Sequence, residues 1–238
     1  VTNSVAFDLT AQTADGRIVV LGSIPVVFED YGIDVAIEST GVFRARADIE
    51  KHLAAGAKNV ILTVPPKDAI DALIVLGGPQ MPDQGDRFPH LNVEMRCIEQ
   101  ALKRDMPVLG ICLGMQILYE SSTEDSGDGK GVECLGVVPG KLEKLQPSQG
   151  LRVPHMGWNA IRTRAADPLT TGLDEKWFYF VHSYAAPIGD WTLATSHHGS
   201  TFSAVVRRNN FSGAQFHPER SAAAGARLLR NFLEMPAS

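Results

Sequence analysis

Cys112 stands between two glycines in Gly110-Ile111-Cys112-Leu113-Gly114, and His217 and Glu219 stand two residues apart in His217-Pro218-Glu219. A thiol, an imidazole and a carboxylate are the parts of a nucleophile, the base that takes and returns its proton, and the group that fixes the tautomer of that base. The chemistry they offer is attack of a thiolate on a carbonyl carbon, with a thioester that water then cleaves.

Each part also has a plainer reading. A lone cysteine is more often a small buried apolar residue, and a His-x-Glu pair is more often a strand end or a helix cap. The elements that must position these residues favour the chemical reading. Residues 106–111 read as a buried strand and 113–121 as a helix, so Cys112 falls at a strand-to-helix turn that exposes its side chain. Glycines at 110 and 114 let the chain bend and the helix approach the sheet closely, the geometry that serine hydrolases build with G-x-S-x-G. The helix N-terminus then favours a thiolate, and the Leu113 amide is placed to donate to an oxyanion. The apolar stretch 212–216 reads as a strand that carries His217 and Glu219 to one face, where one orients the other if the extended spacing holds.

With these two segments, Gly110-Ile-Cys-Leu-Gly-Met-Gln116 and Gln215-Phe-His-Pro-Glu219, the chain resembles the class I glutamine amidotransferases. Val153-Pro-His-Met-Gly-Trp-Asn159, Tyr179-Phe-Val-His-Ser-Tyr184, Gly136-Val-Val-Pro-Gly140 and Gly225-Ala-Arg-Leu-Leu-Arg-Asn-Phe232 look like the glutaminase subunits of imidazole glycerol phosphate synthase. The resemblance runs over about residues 72–233 and rests on several separated motifs in the right order.

The resemblance implies hydrolysis of glutamine to glutamate and ammonia, with Cys112 as nucleophile, His217 as acid and base, and Glu219 holding the histidine. It places the oxyanion between the Leu113 amide and that of Gly78. Glutamine itself falls to Gln116, one helical turn beyond Cys112, and to the backbone around His182, Ser183 and Tyr184. It implies no cofactor and no metal. The partner it implies is a (β/α)8 cyclase that receives the ammonia in histidine biosynthesis, met through Met156, Trp158 and Arg220. One departure stands out: Leu76-Gly77-Gly78-Pro79 replaces the Pro-Gly-Val-Gly loop of the synthase subunits and is similar to other class I amidotransferases.

Residues 31–71, with Asp34-Val-Ala-Ile-Glu-Ser-Thr-Gly-Val-Phe43 and Lys51-His-Leu-Ala-Ala-Gly-Ala-Lys-Asn-Val-Ile61, instead resemble an internal piece of glyceraldehyde-3-phosphate dehydrogenase. No G-x-G-x-x-G precedes them, so no nicotinamide cofactor is expected. Strands over 33–37, 59–64 and 72–76 and a helix over 45–55 supply the order with which an amidotransferase sheet opens. Residues 1–30 read as a short β extension, with strands over 5–9 and 17–21. The expected fold is therefore α/β and flavodoxin-like, a mostly parallel sheet with helices on both faces, in a single amidotransferase-like domain over 31–238 behind that extension.

A chain of 238 residues with 44% hydrophobic content can bury a sizeable core. Its net charge of −5 gives no sign of nucleic-acid binding. No apolar run reaches the ~20 residues of a membrane helix and no signal-peptide pattern opens the chain, so a cytoplasmic place is expected. Cys97, Cys112 and Cys134 have neither metal-ligand nor disulfide spacing. Cys97, on a helix over 91–104, and Cys134 read as packing residues, and His197-His198 as turn residues. Three functions remain open: the synthase subunit, a free-standing glutamine amidohydrolase or other class I amidotransferase, and a chimeric or designed folded scaffold without activity.

Overall fold

The computed structural model describes residues 9–13, 16–20, 35–38, 43–62, 67, 70–78, 89–124, 131–147 and 150–235. The chain forms two compact units, 1–70 and 71–238.

In the first unit β1 (Leu9–Thr13) and β2 (Gly16–Val20) make an antiparallel hairpin that pairs Leu9 with Val20 and Thr13 with Gly16. The expected hairpin is present with its first strand further along the chain; residues 5–8, 21, 33–34 and 63–64 of the expected strands lie outside the described residues. β3 (Val35–Glu38), α1 (Arg46–Ala54) and β4 (Asn59–Leu62) form the expected strand-helix-strand, with β3 and β4 parallel from Val35 against Asn59. The buried Glu38 carboxylate on β3 meets His52 Nε2 of α1 at 2.9 Å and ties helix to strand.

The second unit continues with β5 (Leu73–Val75), α2 (Pro89–Lys103), β6 (Val108–Ile111), α3 (Leu113–Gln116), β7 (Ser121–Ser122), β8 (Val132–Glu133) and β9 (Lys141–Lys144). Then follow β10 (His155–Ala160), β11 (Arg162–Thr163), β12 (Trp177–His182), β13 (Tyr184–Ala185), β14 (Thr192–His198), β15 (Ser200–Arg208), β16 (Phe211–Ala214) and α4 (Ala222–Glu234). A six-stranded sheet runs β11-β14-β15-β16-β6-β5. Among the described residues its parallel pairs are β16 with β6 and β6 with β5, and the other half is antiparallel.

β6 shows how the sheet is buried. All four of its residues are buried, with Leu109 and Ile111 in one apolar cluster and Val108 in the other, as a strand with both faces covered requires. Leu228 and Phe232 of α4 belong to the first cluster, and Ala101 and Leu102 of α2 to the second, so helices cover both faces. Cys97 is exposed on α2 and does not pack, contrary to expectation.

The helix expected over 113–121 is a single turn, Leu113–Gln116. Its continuation fails because the carbonyls of Ile117, Leu118, Tyr119 and Glu120 accept the N–H groups of Leu135, Val138, Gly136 and Cys134. These carbonyls are satisfied across space instead of along a helix, a tertiary override of local propensity. Cys112 therefore stands at the N-terminus of a single helical turn and not at that of a long helix.

Candidate active site

Cys112 has φ 53° and ψ −111°, a left-handed backbone that costs a non-glycine residue about 1–3 kcal/mol. The surroundings hold it there. Its N–H donates to the Ala214 carbonyl on β16 at 2.7 Å, and its carbonyl accepts from Met115 and Gln116 at 3.1 Å each. A methyl group at Gly110 would collide with the Gly114 carbonyl, and one at Gly114 with the Val75 carbonyl, so strand, turn and helix close only over bare backbone. Gly77 follows β5 and is equally close: a Cβ there would stand 3.0 Å from Cys112 Cβ and 3.5 Å from Leu113 N. The loop that carries Gly78 thus runs beside Cys112 and the Leu113 amide.

His217 and Glu219 do not sit on a strand, which corrects the expected spacing. His217 is extended, and Pro218–Arg220 form a 3-10 turn that folds the carboxylate back to the ring. His217 Nδ1 and Glu219 Oε1 are 2.7 Å apart. Nε2, buried and without a hydrogen-bond partner, is left as the nitrogen that can exchange a proton with the thiol. The Cys112 side chain is the strongest influence on the ring and Glu219 the next, and against the cost of burial they raise the His217 pKa to about 9. Thiol and ring therefore interact without yet meeting hydrogen-bond geometry, which is common in resting catalytic pairs. Burial pushes Glu219 up, but its hydrogen bond with His217, a backbone bond and the charges of His217 and Arg220 outweigh this and hold it below the usual carboxylate range.

The sulfur has two further neighbours: the Val181 carbonyl at 3.7 Å and Gln215 Nε2 at 3.9 Å. Gln116 is buried, and its Nε2 donates to the Tyr184 carbonyl and to Gln215 Oε1, each at 3.0 Å. The same Tyr184 carbonyl accepts from His182 Nδ1 at 2.8 Å, and the Ser183 carbonyl accepts from Leu145 N at 2.8 Å. His182 faces His155 at 3.0 Å, and the ring of His155 stacks on that of His198. Burial, foremost, drives the His182 pKa down to about 4 and that of His155 to about 3, so both rings are neutral at pH 7. His197 and His198 end β14 at a turn, where Gly199 has φ 75°. Among the described residues no group of three or more metal-ligating side chains could hold an ion.

β10 and β12 form a two-stranded sheet with two unlike faces. One presents Met156, Trp158 and Ala160 opposite Val181, Tyr179 and Trp177. Met156 is 63% exposed, Trp158 51% and Trp177 59%, and Arg220 lies over the Tyr179 ring at 4.6 Å. Trp177 was not among the residues singled out in the sequence, although the alternation of β12 places it beside Tyr179.

Two more residues that touch the site are not marked by the sequence. Ser221 is buried and braces the His217 turn, and Gln215 reaches the sulfur; Gln215 lay within the matched motif, but nothing in its type alone marked it.

Residues 39–235 match the family described as glutamine amidotransferase class-I. The chain is 46% identical over 156 residues to imidazole glycerol phosphate synthase subunit HisH of Colwellia psychrerythraea, a match that covers 60% of this chain and 69% of that protein. It is 51% identical over 142 residues to the HisH subunit of Xylella fastidiosa, covering 59% of this chain and 68% of that one. For a Vibrio vulnificus HisH subunit the figures are 47% over 147 residues, with 60% and 72% covered. With a cysteine on a strained strand-to-helix turn and a histidine-glutamate pair beside it, the chain belongs to the class I glutamine amidotransferase family.

Proposed function

We propose that this chain is the glutaminase subunit of an imidazole glycerol phosphate synthase, hydrolysing glutamine to glutamate and ammonia and passing the ammonia to a cyclase. The observation that carries the mechanism is the division of labour on His217, with Nδ1 held by Glu219 and Nε2 buried, unpaired and under the influence of Cys112. The Cys112 thiolate attacks the side-chain amide carbon of glutamine. The C–N bond breaks as the His217 imidazolium gives its Nε2 proton to the leaving ammonia. The neutral ring then takes a proton from water, the hydroxide so formed attacks the thioester carbon, and collapse of that adduct returns the thiolate. Glu219 fixes the tautomer and stabilises the imidazolium. The amides of Leu113 and Gly78 serve the oxyanion, a role supported by the packing of Gly77 against Cys112 and Leu113. Gln116 and the strand around His182, Ser183 and Tyr184 form the wall against which the substrate's amino-acid end lies.

The partner is a (β/α)8 cyclase, and the exposed face of Met156, Trp158 and Trp177, rimmed by Arg220, is its docking surface. Large apolar side chains with an arginine at their edge have the composition of an interface core. Val181 shares that face and its carbonyl is 3.7 Å from the sulfur, so ammonia released at Cys112 starts one residue from the partner. The reading requires no cofactor and places the chain in the cytoplasm. It also takes residues 31–71 as a dehydrogenase-like insert, making the chain a chimera, because a strand-helix-strand unit is what the family's sheet opens with. Glutamate formation from glutamine, measured alone and with a cyclase plus its nucleotide ligand, and with Cys112→Ala as the blank, tests this. Stimulation that the blank lacks supports it; activity indifferent to the partner points to a free-standing amidohydrolase, a reading the Gly77-Gly78 loop favours; no activity marks an inactive scaffold.

A further inference from the structure

The amide of Gln215 has only one self-consistent orientation. The Tyr184 carbonyl can only accept, so the Gln116 atom 3.0 Å from it is the Nε2 donor. The second hydrogen of that NH2 group points to Gln215, 3.0 Å away, and the atom it meets must be the Oε1 acceptor. Gln215 Nε2 is then turned to Cys112 Sγ at 3.9 Å. Gln215 is fully buried and Gln116 3% exposed, so solvent does not compete for either amide. Gln215 is also held at its backbone, where its N–H donates to the Ala204 carbonyl at 2.9 Å. Next to it in sequence, Ala214 accepts the Cys112 N–H, so one short segment fixes both the nucleophile's backbone and its sulfur.

We propose that Gln215 is a positioning residue for the nucleophile, its N–H group hydrogen-bonding the Cys112 sulfur in an orientation dictated by the Tyr184 carbonyl through Gln116. The inference rests on the reading of Cys112 as a nucleophile. A neutral amide donor favours the thiolate over the thiol without bringing a second charge that would compete with the imidazolium of His217. It also orients the sulfur from the side of β16, leaving Nε2 of His217 as its proton partner. A buried glutamine of purely structural use would affect folding and not the titration of the thiol.

The test is the pH profile of Cys112 alkylation in the full chain carrying Cys97→Ser and Cys134→Ser, with and without Gln215→Leu. Loss of the donor is expected to move the midpoint upward by about one pH unit, a roughly tenfold smaller thiolate fraction below both midpoints. Gln215→Leu that unfolds cooperatively and keeps the original midpoint overturns the proposal. A second measurement needs no change at residue 215: the Gln215 side-chain amide resonances should titrate with the thiol and lose that step in Cys112→Ser. Their indifference to the thiol would equally overturn it. Alkylation reads the thiol and not glutamine turnover, so a chain with the shifted midpoint but no glutaminase activity would remove the functional reading and leave this one standing.

Discussion

Ser221 braces His217 from behind: its hydroxyl donates to the His217 carbonyl at 2.6 Å and accepts the Tyr179 N–H at 3.0 Å. Because the His217 N–H donates in turn to the Tyr179 carbonyl at 2.9 Å, His217 is stitched to β12 through its own backbone and through one hydroxyl. Ser221 is 1% exposed, so removing the hydroxyl leaves the Tyr179 N–H without its partner, while the His217 carbonyl keeps only the Arg220 N–H at 3.1 Å. Ser221→Ala is expected to cost about 1–3 kcal/mol of stability and to lower kcat with little change in KM. Denaturant unfolding and steady-state kinetics on the same sample check both parts.

Glu219 touches Nδ1 of His217, and in the proposed mechanism it meets no atom of the substrate and fixes which nitrogen carries the proton. Glu219→Gln keeps the shape of the side chain and removes the charge that holds Nδ1–H. Glutaminase kcat should fall by about 10²–10⁴-fold while unfolding stays cooperative, with a lowered midpoint because the stabilisation tied to the shifted His217 and Glu219 pKa values is lost. Wild-type kcat in this variant would remove Glu219 from the catalytic set.

The histidines set opposite limbs of the pH–stability curve. His217 is raised to about 9, so the folded state binds its proton more tightly than the unfolded chain, and the stabilisation is complete below about 6.5 and lost as pH climbs through 9. His182 and His155 are lowered to about 4 and about 3, so their stabilisation is complete above about 6.5 and lost as pH falls toward those values. Glu219, also lowered, adds to the acid limb. Thermal unfolding from pH 3 to pH 10 should give a maximum near neutrality. Because Cys112 is the largest cause of the His217 shift, Cys112→Ala should flatten the alkaline limb and leave the acid limb in place.

Much of this was legible from residue order. Gly110, Cys112 and Gly114 mark the turn because no side chain fits where the helix crosses the sheet, and that steric rule acts over a few residues. The length of α3 was not legible, since the carbonyls that end it are taken by residues 134–138, whose proximity is a tertiary fact. The His217-Glu219 contact was foreseen and its backbone was not: Pro218 fits the first position of a 3-10 turn as readily as it ends a strand. Gln215 and Ser221 were invisible as site residues because a buried amide or hydroxyl takes its meaning only from what lies opposite.

Gly225 shows how far that steric logic extends. It lies on α4, where a Cβ would collide with the Pro218 carbonyl, so the first turns of α4 press directly on the turn that carries His217 and Glu219. A methyl group there cannot be absorbed by a flexible side chain, because the opposing atoms are backbone. Either α4 or the Pro218 turn must move, and α4 is anchored by the buried Leu228 and Phe232. Gly225→Ala is therefore expected to displace the turn, costing about 1–3 kcal/mol of stability. It should also reduce kcat, because the Nδ1–Glu219 contact shifts with Pro218. Gly172→Ala serves as the comparison: Gly172 has φ 75°, so that change is strained too, but the nearest atoms to its Cβ belong to the Arg227 side chain. Equal loss of stability in both variants with loss of kcat only in Gly225→Ala would show that Gly225 acts through the geometry of the turn; equal kcat in the two would show that it acts through folding alone.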